Sequence, residues 1–266
     1  MLHDQHCHTR YSVDSNASLD NYYNICQKNG CEYFITTEHI DFNCVCNNQD
    51  WTVDFPNLKE ELKCLHHKYP NCTPLLGIEL GYRKEFIFKM EEVLRNNDFD
   101  LVNLSVHDNG IYDYYEQKGF INEGIPKMLD EYFDNVYEAV DTFDNFDVLS
   151  HFDFGFKTAY LLDKEISINQ YEQKVRKIFR RLIEKNKTLE INMKVQNMIN
   201  HTHLETILKW YREEGGKNLT LSSDSHTEMV YETYYQTRQL YIDIIKKKGF
   251  KKLSYFVNRT QYTYDI

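Results

Sequence analysis

The chain alternates short apolar segments typical of β-strands with longer amphipathic segments typical of helices, and this alternation restricts its fold more than any other feature. Several of the short segments are almost continuously apolar, as expected for parallel strands that are covered on both faces. Seven strands are predicted on this basis: Leu2–His6, Tyr33–Thr37, Leu75–Leu80, Leu101–Val106, Asp147–His151, Thr188–Ile191 and Asn218–Ser222.

The segments between these strands carry helical patterns with recognisable ends. Ser18 is placed to cap the first helix, which is predicted to stop at Gly30 because glycine suits the left-handed position after a helix. Six further helices are predicted: Leu58–Tyr69, Lys84–Asn96, Gly124–Asp141, Ile168–Lys185, Leu204–Glu213 and Glu228–Lys248. The Tyr-rich tail, Leu253–Tyr264, is predicted to be extended.

Strands that alternate with helices predict a parallel sheet whose strands are joined by right-handed crossovers. The 266 residues suffice for one domain of barrel size or for two small ones, and no Pro/Gly/Ser-rich linker divides them. We therefore predict an α/β fold with one domain over residues 1–266, a closed or nearly closed βα barrel. An open doubly wound sheet is the alternative. In a βα barrel the chemistry lies at the C-terminal ends of the strands.

Histidines and carboxylates follow the predicted strands at this end of the barrel. Six of the seven strands deliver them: His6, His8 and Asp14; Glu38 and His39; Glu79; His107; His151 and Asp153; Asp224 and His226. The remaining strand delivers Glu190 and Asn192, which are also polar. A single histidine at a strand end is more often a hydrogen-bonded loop residue than a ligand. Coincidence at six strand ends is much harder to accept, so the pattern predicts a metal site.

Two imidazoles separated by one residue on a strand point to the same side and can bind one metal ion, as His6 and His8 would. His201 and His203 form a second pair of this kind. There, Thr202 and Glu205 match the capping-box pattern of a helix start, so this pair is interpreted as structural. The position of the first pair at a strand end distinguishes it from the second.

Composition and charge limit the classes of partner and the cellular compartment that the sequence predicts. The 41 acidic residues outnumber the 31 basic ones, and a net charge of −10 argues against nucleic acid or an anionic membrane as the partner. No apolar stretch approaches the roughly 20 residues of a membrane span, and the N-terminus lacks the features of a signal peptide. The seven cysteines form no CxxC pair, which favours reduced thiols in a cytoplasmic protein. The oligomeric state stays open.

The candidate ligands resemble those of the PHP (polymerase and histidinol phosphatase) superfamily, and the resemblance runs the length of the chain. Residues 6–15, 104–107 and 222–227 are most similar to the monofunctional histidinol-phosphatases within it. The resemblance implies a distorted (β/α)7 barrel of the PHP type with three divalent metal ions, for which Zn, Mn and Fe all suit the ligands. It divides the ligands into three groups, with Glu79 shared by the first two: His6, His8, Glu79 and Asp224; Glu79, His107 and His151; and Asp14, His39 and His226.

The resemblance also implies a reaction, the hydrolysis of a small phosphate monoester, most closely L-histidinol phosphate in histidine biosynthesis. A metal-bound hydroxide would attack phosphorus, while Asp224 and His226 would transfer protons. Three divalent ions and three ligand carboxylates would leave the cleft locally positive despite the acidic chain, so that it attracts the phosphate.

Candidates for binding the phosphate oxygens are Lys157, Lys194 and Arg10. At two of these positions the sequence departs from its relatives. They often carry an arginine after the fifth-strand His-x-Asp, where this chain has Lys157, and a second one after Glu-x-Asn on the sixth strand, where it has Met193 and Lys194. A lysine is a point charge rather than a planar fork, so either change can alter substrate preference.

Three other functions compete with this hypothesis. The nearest is a PHP phosphoesterase that acts on a nucleotide or a sugar phosphate. A non-catalytic binding domain is disfavoured because every ligand type is present. A metal-dependent amidohydrolase is disfavoured because its carbamylated lysine has no candidate on the fourth strand, which ends in His107.

Overall fold

A computed structural model describes residues 4–266, which form strands and helices in alternation. The strands are β1 (Tyr33–Cys44), β2 (Gln49–Trp51), β3 (Thr73–Gly81), β4 (Leu101–Ser105), β5 (Val148–Leu149), β6 (Thr188–Asn192), β7 (Leu219–Ser222), β8 (Lys252–Val257) and β9 (Thr260–Asp265). The helices are α1 (Leu19–Lys28), α2 (Phe55–Lys68), α3 (Ile87–Asn96), α4 (Gln117–Glu123), α5 (Ile125–Thr142), α6 (Phe154–Leu162), α7 (Glu172–Glu184), α8 (Met193–Gln196), α9 (His201–Glu213) and α10 (Glu228–Lys247). Single 3-10 turns precede α3 and α7.

Six strands form one parallel sheet in the order β1-β3-β4-β5-β6-β7, and the short β2 adds to β1 as an antiparallel edge. The register places His39 on β1 directly beside Glu79 on β3. The C-terminal ends of all six parallel strands therefore face the same side, as the alternation of strands and helices predicts.

The N-terminal segment closes this sheet into a barrel by bonding to β1 on one side and to the loop after β7 on the other. On one side His8 N donates to Ser225 O at 2.8 Å, and on the other Thr37 N donates to Cys7 O at 2.9 Å. The only β-bridge that this segment forms in the described residues is the one between Cys7 and Ser225. The described part of the strand predicted over Leu2–His6 is therefore not a regular strand, and residues 1–3 lie outside the described residues. The predicted α/β barrel is confirmed, with this irregular closure as its distortion.

Short elements and one helix start differ from the sequence predictions. The strand β2 and the helices α4, α6 and α8 were not predicted, because each is too short or too uniformly buried to show a clear hydrophobic period. The predicted capping box of α9 is wrong: Asn200 is its N-cap and accepts from His203 N at 3.0 Å, so Thr202 lies inside the helix. No helix in the described part of the chain combines the length and apolarity needed to cross a membrane.

The C-terminal tail forms a hairpin, β8–β9, that plugs the barrel at the end opposite the site. Phe256 packs there in a small apolar cluster with Ile35, Leu75, Leu101 and Val148. Gln5 Oε1 accepts from Phe256 N at 2.9 Å, which ties the hairpin to the closing segment. The tail that the sequence predicts to be extended therefore forms two strands, and these pack against the end of the barrel.

Replacing Phe256 with Ala is expected to lower the free energy of unfolding by about 3–5 kcal/mol, because the side chain is 4% exposed and leaves a cavity in the plug. Equilibrium unfolding in urea measures the change. Thr263→Ala on the exposed face of β9 is the matched control, with an expected change within about 0.5 kcal/mol. Equal effects of the two substitutions would contradict the plugging role.

Candidate metal centre

The nine predicted ligand side chains converge at the C-terminal end of the barrel, at the base of a cleft of about 490 Å³. They come from seven parts of the chain: the closing segment, the turn after it, β1, β3, and the loops after β4, β5 and β7. The parallel sheet brings them together because it directs every strand end to the same side.

The first group of ligand atoms is compact. His6 Nε2 and His8 Nε2 lie 3.1 Å apart, and they lie 3.0 and 3.2 Å from Glu79 Oε2. Asp224 Oδ1 completes the group at 3.4 Å from His8 Nε2. Neighbouring ligands of a tetrahedral zinc ion lie roughly 3.4 Å apart, so these four side chains fit one ion with small adjustments. Asp224 has φ 51°, a left-handed conformation that aspartate tolerates, and this turn directs its side chain.

The second group uses the other oxygen of Glu79. His151 Nε2 lies 2.7 Å and His107 Nε2 lies 3.2 Å from Glu79 Oε1, and Ser105 Oγ donates to the same oxygen. Because each carboxylate oxygen of Glu79 faces a different set of imidazoles, the geometry fits a bridging role for this residue.

The third group lies nearer to solvent. His226 Nε2 is 3.0 Å and His39 Nε2 is 3.7 Å from Asp14 Oδ2, and Asp14 is 37% exposed. The His39 ring stacks on His8 with centroids 4.1 Å apart, so the third group adjoins the first. Contact with the cleft makes this the most accessible of the three groups.

Two buried carboxylates orient the ligands from behind, and the sequence analysis did not assign them this role. Asp41 Oδ1 lies 2.7 Å from His107 Nδ1, and Glu190 Oε1 lies 2.7 Å from His6 Nδ1. Such a carboxylate fixes the tautomer and the orientation of a metal-binding imidazole. The pattern His39-x-Asp41 on β1 was a usable signal, since residues two apart on a strand share a face.

A glycine makes room for one of these carboxylates. A Cβ at Gly81 on β3 would lie 1.8 Å from Asp41 Oδ1. Any other residue at this position would displace the Asp41 carboxylate, so the close approach requires glycine.

Two of the strand-end carboxylates turn away from the ligand groups. Glu38 is buried and accepts hydrogen bonds from Thr9 N at 3.0 Å and Ser12 Oγ at 2.5 Å, which holds the turn after the closing segment. Asp153 accepts from His203 Nε2 at 2.7 Å, away from the ligands. His201 is exposed, so the second HxH pair does not converge on a common point.

The electrostatics of the centre suit cations. Although burial favours the neutral acid, the neighbouring imidazoles lower the pKa of Glu79 well below its usual value, and Lys194 together with His6 does the same for Asp224. Burial, with His39 and His226 nearby, lowers the pKa of His8 to about 4 and so leaves its lone pair free. Ionised carboxylates and a neutral imidazole are the forms that bind metal ions.

Of the three candidate phosphate-binding residues, Lys194 lines the cleft, and Lys157 lies buried directly behind its aromatic wall. Lys157 is 1% exposed, and its Nζ has no hydrogen-bond partner; it lies over the rings of Phe154 and Tyr115 at 3.9 and 4.5 Å. Lys194 Nζ lies 3.3 Å from Asp224 Oδ1. Arg10 instead pairs with Glu61 at 2.5 Å, half-exposed, and does not line the cleft.

The cleft above the ligands has a mixed wall of aromatic and acidic side chains. Trp51, Tyr115 and Phe154 provide the aromatic surface, and Asp113 and Glu116 provide carboxylates. Burial raises the pKa of Asp113. A ligand with an apolar or aromatic body and a cationic group fits such a wall.

The fold and the ligand groups define a βα barrel with a candidate polynuclear metal centre. A model of the PHP domain matches residues 4–194, and the chain therefore belongs to the PHP domain family. A histidinol-phosphatase of Lactococcus lactis is 26% identical over 257 residues, 95% of this chain and 93% of the relative. A Clostridium acetobutylicum relative is 27% identical over 227 residues, 85% of this chain and 87% of its own.

A solved structure shares the fold. The Lactococcus lactis histidinol phosphate phosphatase, complexed with Zn, L-histidinol and phosphate, superimposes with a TM-score of 0.85 over 98% of both chains at 24% identity. At this level of identity the likeness shows the fold, and it confirms the barrel architecture predicted from the sequence.

Asp41→Ala is expected to weaken binding of divalent metal by roughly 10–100-fold, because His107 loses the carboxylate that orients it. Asp41→Asn is expected to lose less, since its amide oxygen still accepts from Nδ1–H. Competition with a chelator measures the affinity. Asp50→Ala, an exposed position on β2, is the control, and an Asp41→Ala protein that binds metal as tightly as this control would contradict the orienting role.

Proposed function

We propose that this chain is a metal-dependent phosphatase that hydrolyses L-histidinol phosphate to L-histidinol and phosphate. The observation that carries the proposal is the convergence of the nine ligand side chains below a cleft whose aromatic wall covers the buried ammonium of Lys157, which has no hydrogen-bond partner. A buried charge without a partner is costly, and a phosphate group would supply the missing acceptor. The histidinol-phosphatases among the relatives support this choice of phosphate ester.

Three divalent ions would be held by the three ligand groups described above, as Zn, Mn or Fe. When bound, such ions supply Lewis acidity and a nucleophilic water at neutral pH. Imidazole and carboxylate ligands accept each of these three metals.

The chain's own residues would bind the phosphate and move protons. Lys157 and Lys194 would hold phosphate oxygens from the side of the centre where Asp224 and His226 meet. Asp224 Oδ1 lies 3.4 Å from His226 Nδ1 and 3.3 Å from Lys194 Nζ, so a carboxylate acceptor and two nitrogen groups share one location. We assign the proton transfers of the reaction to Asp224 and His226 on this ground.

The cleft wall would hold the organic part of the substrate. L-Histidinol carries an amine and an imidazole, which match the carboxylates of Asp113 and Glu116 and the rings of Trp51 and Tyr115. A nucleotide or a sugar phosphate lacks the aliphatic ammonium that these carboxylates would bind. The wall thus favours the amino alcohol over those two classes.

We also propose the compartment, the domain organisation and the partner of the enzyme. All seven cysteines are free thiols, which fits a reducing compartment such as the cytoplasm. We further propose that residues 1–266 act as one domain, because one apolar cluster includes residues from Cys7 to Leu253. The partner is the small-molecule ester, with no role for nucleic acid or a membrane.

Phosphate release from a panel of esters tests the function. The metal-loaded protein is expected to hydrolyse L-histidinol phosphate with a kcat/KM at least about 100-fold above that for a nucleoside monophosphate or a sugar phosphate, because only the former pairs with the acidic wall. His107→Ala, which removes one ligand, is the control for contaminating phosphatases and should lose both metal and activity. Preference for another ester would overturn the substrate, and inactivity on the whole panel would overturn the reaction.

The affinity for the ester is expected to fall as pH rises through about 8. Burial, with Lys194 nearby, lowers the pKa of Lys157 to about 8, against the opposing charges of Asp224, Asp113 and Asp153. Lys157 is charged below this pH and neutral above it, so KM should rise on the alkaline side; bound cations would move the rise to lower pH.

Steady-state kinetics as a function of pH check this expectation. Lys157→Arg should keep KM low on the alkaline side, because a guanidinium stays charged. Lys157→Met should show a high KM at every pH. The same alkaline rise in Lys157→Arg as in the unsubstituted protein would contradict the assignment.

A further inference from the structure

A buried polar cluster lies behind the two lysines, outside the ligand groups. Asp153 Oδ2 accepts from Gln196 Nε2 at 2.7 Å and from His203 Nε2 at 2.7 Å. All three side chains are at most 4% exposed. Three separate elements supply them: the start of α6, the end of α8 and the first turn of α9.

One hydrogen bond fixes the orientation of the His203 ring. Its Nε2 bonds to Asp153 Oδ2 at 2.7 Å, and its Nδ1 is buried without a hydrogen-bond partner. The ring also stacks on Phe156 of α6, with centroids 4.8 Å apart and planes at 17°.

The carboxylate of Asp153 makes its hydrogen bonds within this cluster and not to the start of its own helix. Asp153 is the N-cap of α6, yet its side chain caps no backbone N–H of that helix. Aspartate at this position usually bonds to the helix start. Here that bond is replaced by two bonds that reach across to other helices, so α6 is tied to α8 and α9.

The cluster connects the short segments that carry the two lysines. Lys157 lies one turn after Asp153 on α6, and its backbone N donates to Asp153 O at 3.0 Å. Lys194 lies two residues before Gln196 on α8. The Lys157 ammonium has no hydrogen bond of its own, so its location depends on the position of α6.

We propose that Asp153, Gln196 and His203 are positioning residues that fix the separation of Lys157 and Lys194, so that both ammonium groups reach one phosphate. The inference deepens the proposed function and rests on its assignment of the two lysines to phosphate. His203 touches neither the substrate nor the ligand groups. It acts through Asp153 on α6 and, by way of Gln196, on α8.

Binding of inorganic phosphate to the metal-loaded protein, measured by calorimetric titration, tests the proposal. His203→Phe keeps an aromatic ring on Phe156 but removes the N–H, and it is expected to weaken phosphate binding roughly tenfold. His203→Gln keeps a donor at a similar reach and should restore most of the affinity. His201→Phe, the same substitution at the exposed neighbour, is the matched control and should bind as the unsubstituted protein does.

Kinetics and metal content separate positioning from a general structural role. His203→Phe should raise KM for the ester by the same factor as the phosphate dissociation constant, with kcat nearly unchanged and a full complement of metal. Loss of metal, or a fall in kcat without a change in phosphate affinity, would overturn the proposal. A lower melting temperature with unchanged phosphate affinity would overturn it as well.

A double-mutant cycle tests whether His203 affects phosphate binding through Lys157. In a Lys157→Met protein, where the ammonium is absent, His203→Phe should weaken phosphate binding much less than it does alone, because the two changes act on one interaction. Full additivity would overturn the proposal. If the protein hydrolyses none of the esters yet shows this cycle, the proposed function fails and the positioning role stands.

Discussion

The site depends on one buried carboxylate, that of Glu79. It is fully buried on β3, and its two oxygens face different imidazoles, His6 and His8 on one side and His107 and His151 on the other. An ionised carboxylate in such a place is stable only when its oxygens are paired and hydrogen-bonded. The imidazoles of three different parts of the barrel must therefore meet at Glu79, and the closing segment must bring His6 and His8 there.

Two further buried carboxylates hold the imidazoles around Glu79 in place. Glu190 bonds to His6 Nδ1 and also accepts from His151 N at 2.7 Å, so one carboxylate orients residues from the closing segment and from the loop after β5. Asp41 does the same for His107, in space that Gly81 leaves open. The ligands need little reorganisation as a result. The acidic net charge of the chain is compatible with the proposed anionic substrate, because divalent ions held at the centre would make the local field there positive.

The sequence predicted the parts of the fold that rest on local patterns. Apolar runs that alternate with amphipathic segments were enough for the parallel sheet, and Ser18 does cap α1. Patterns of a few residues were not enough for α6 and α8, although these helices carry Lys157 and Lys194. The capping box of α9 failed because the helix begins earlier: Asn200 is the N-cap and accepts from His203 N, which places Thr202 inside the first turn.

The sequence by itself determined the class of barrel and the set of side chains from which the ligands come, because strand ends in a parallel sheet share one side. Only the tertiary structure decided which carboxylates join them. Glu38 and Asp153 also follow strands, yet they point into separate hydrogen-bond networks, while Asp41 on β1 reaches His107 after β4, with β3 between them in the sheet. The direction of a side chain at a strand end depends on loop conformation and on contacts with residues distant in sequence. The spacing of residues along the sequence contains no information on either.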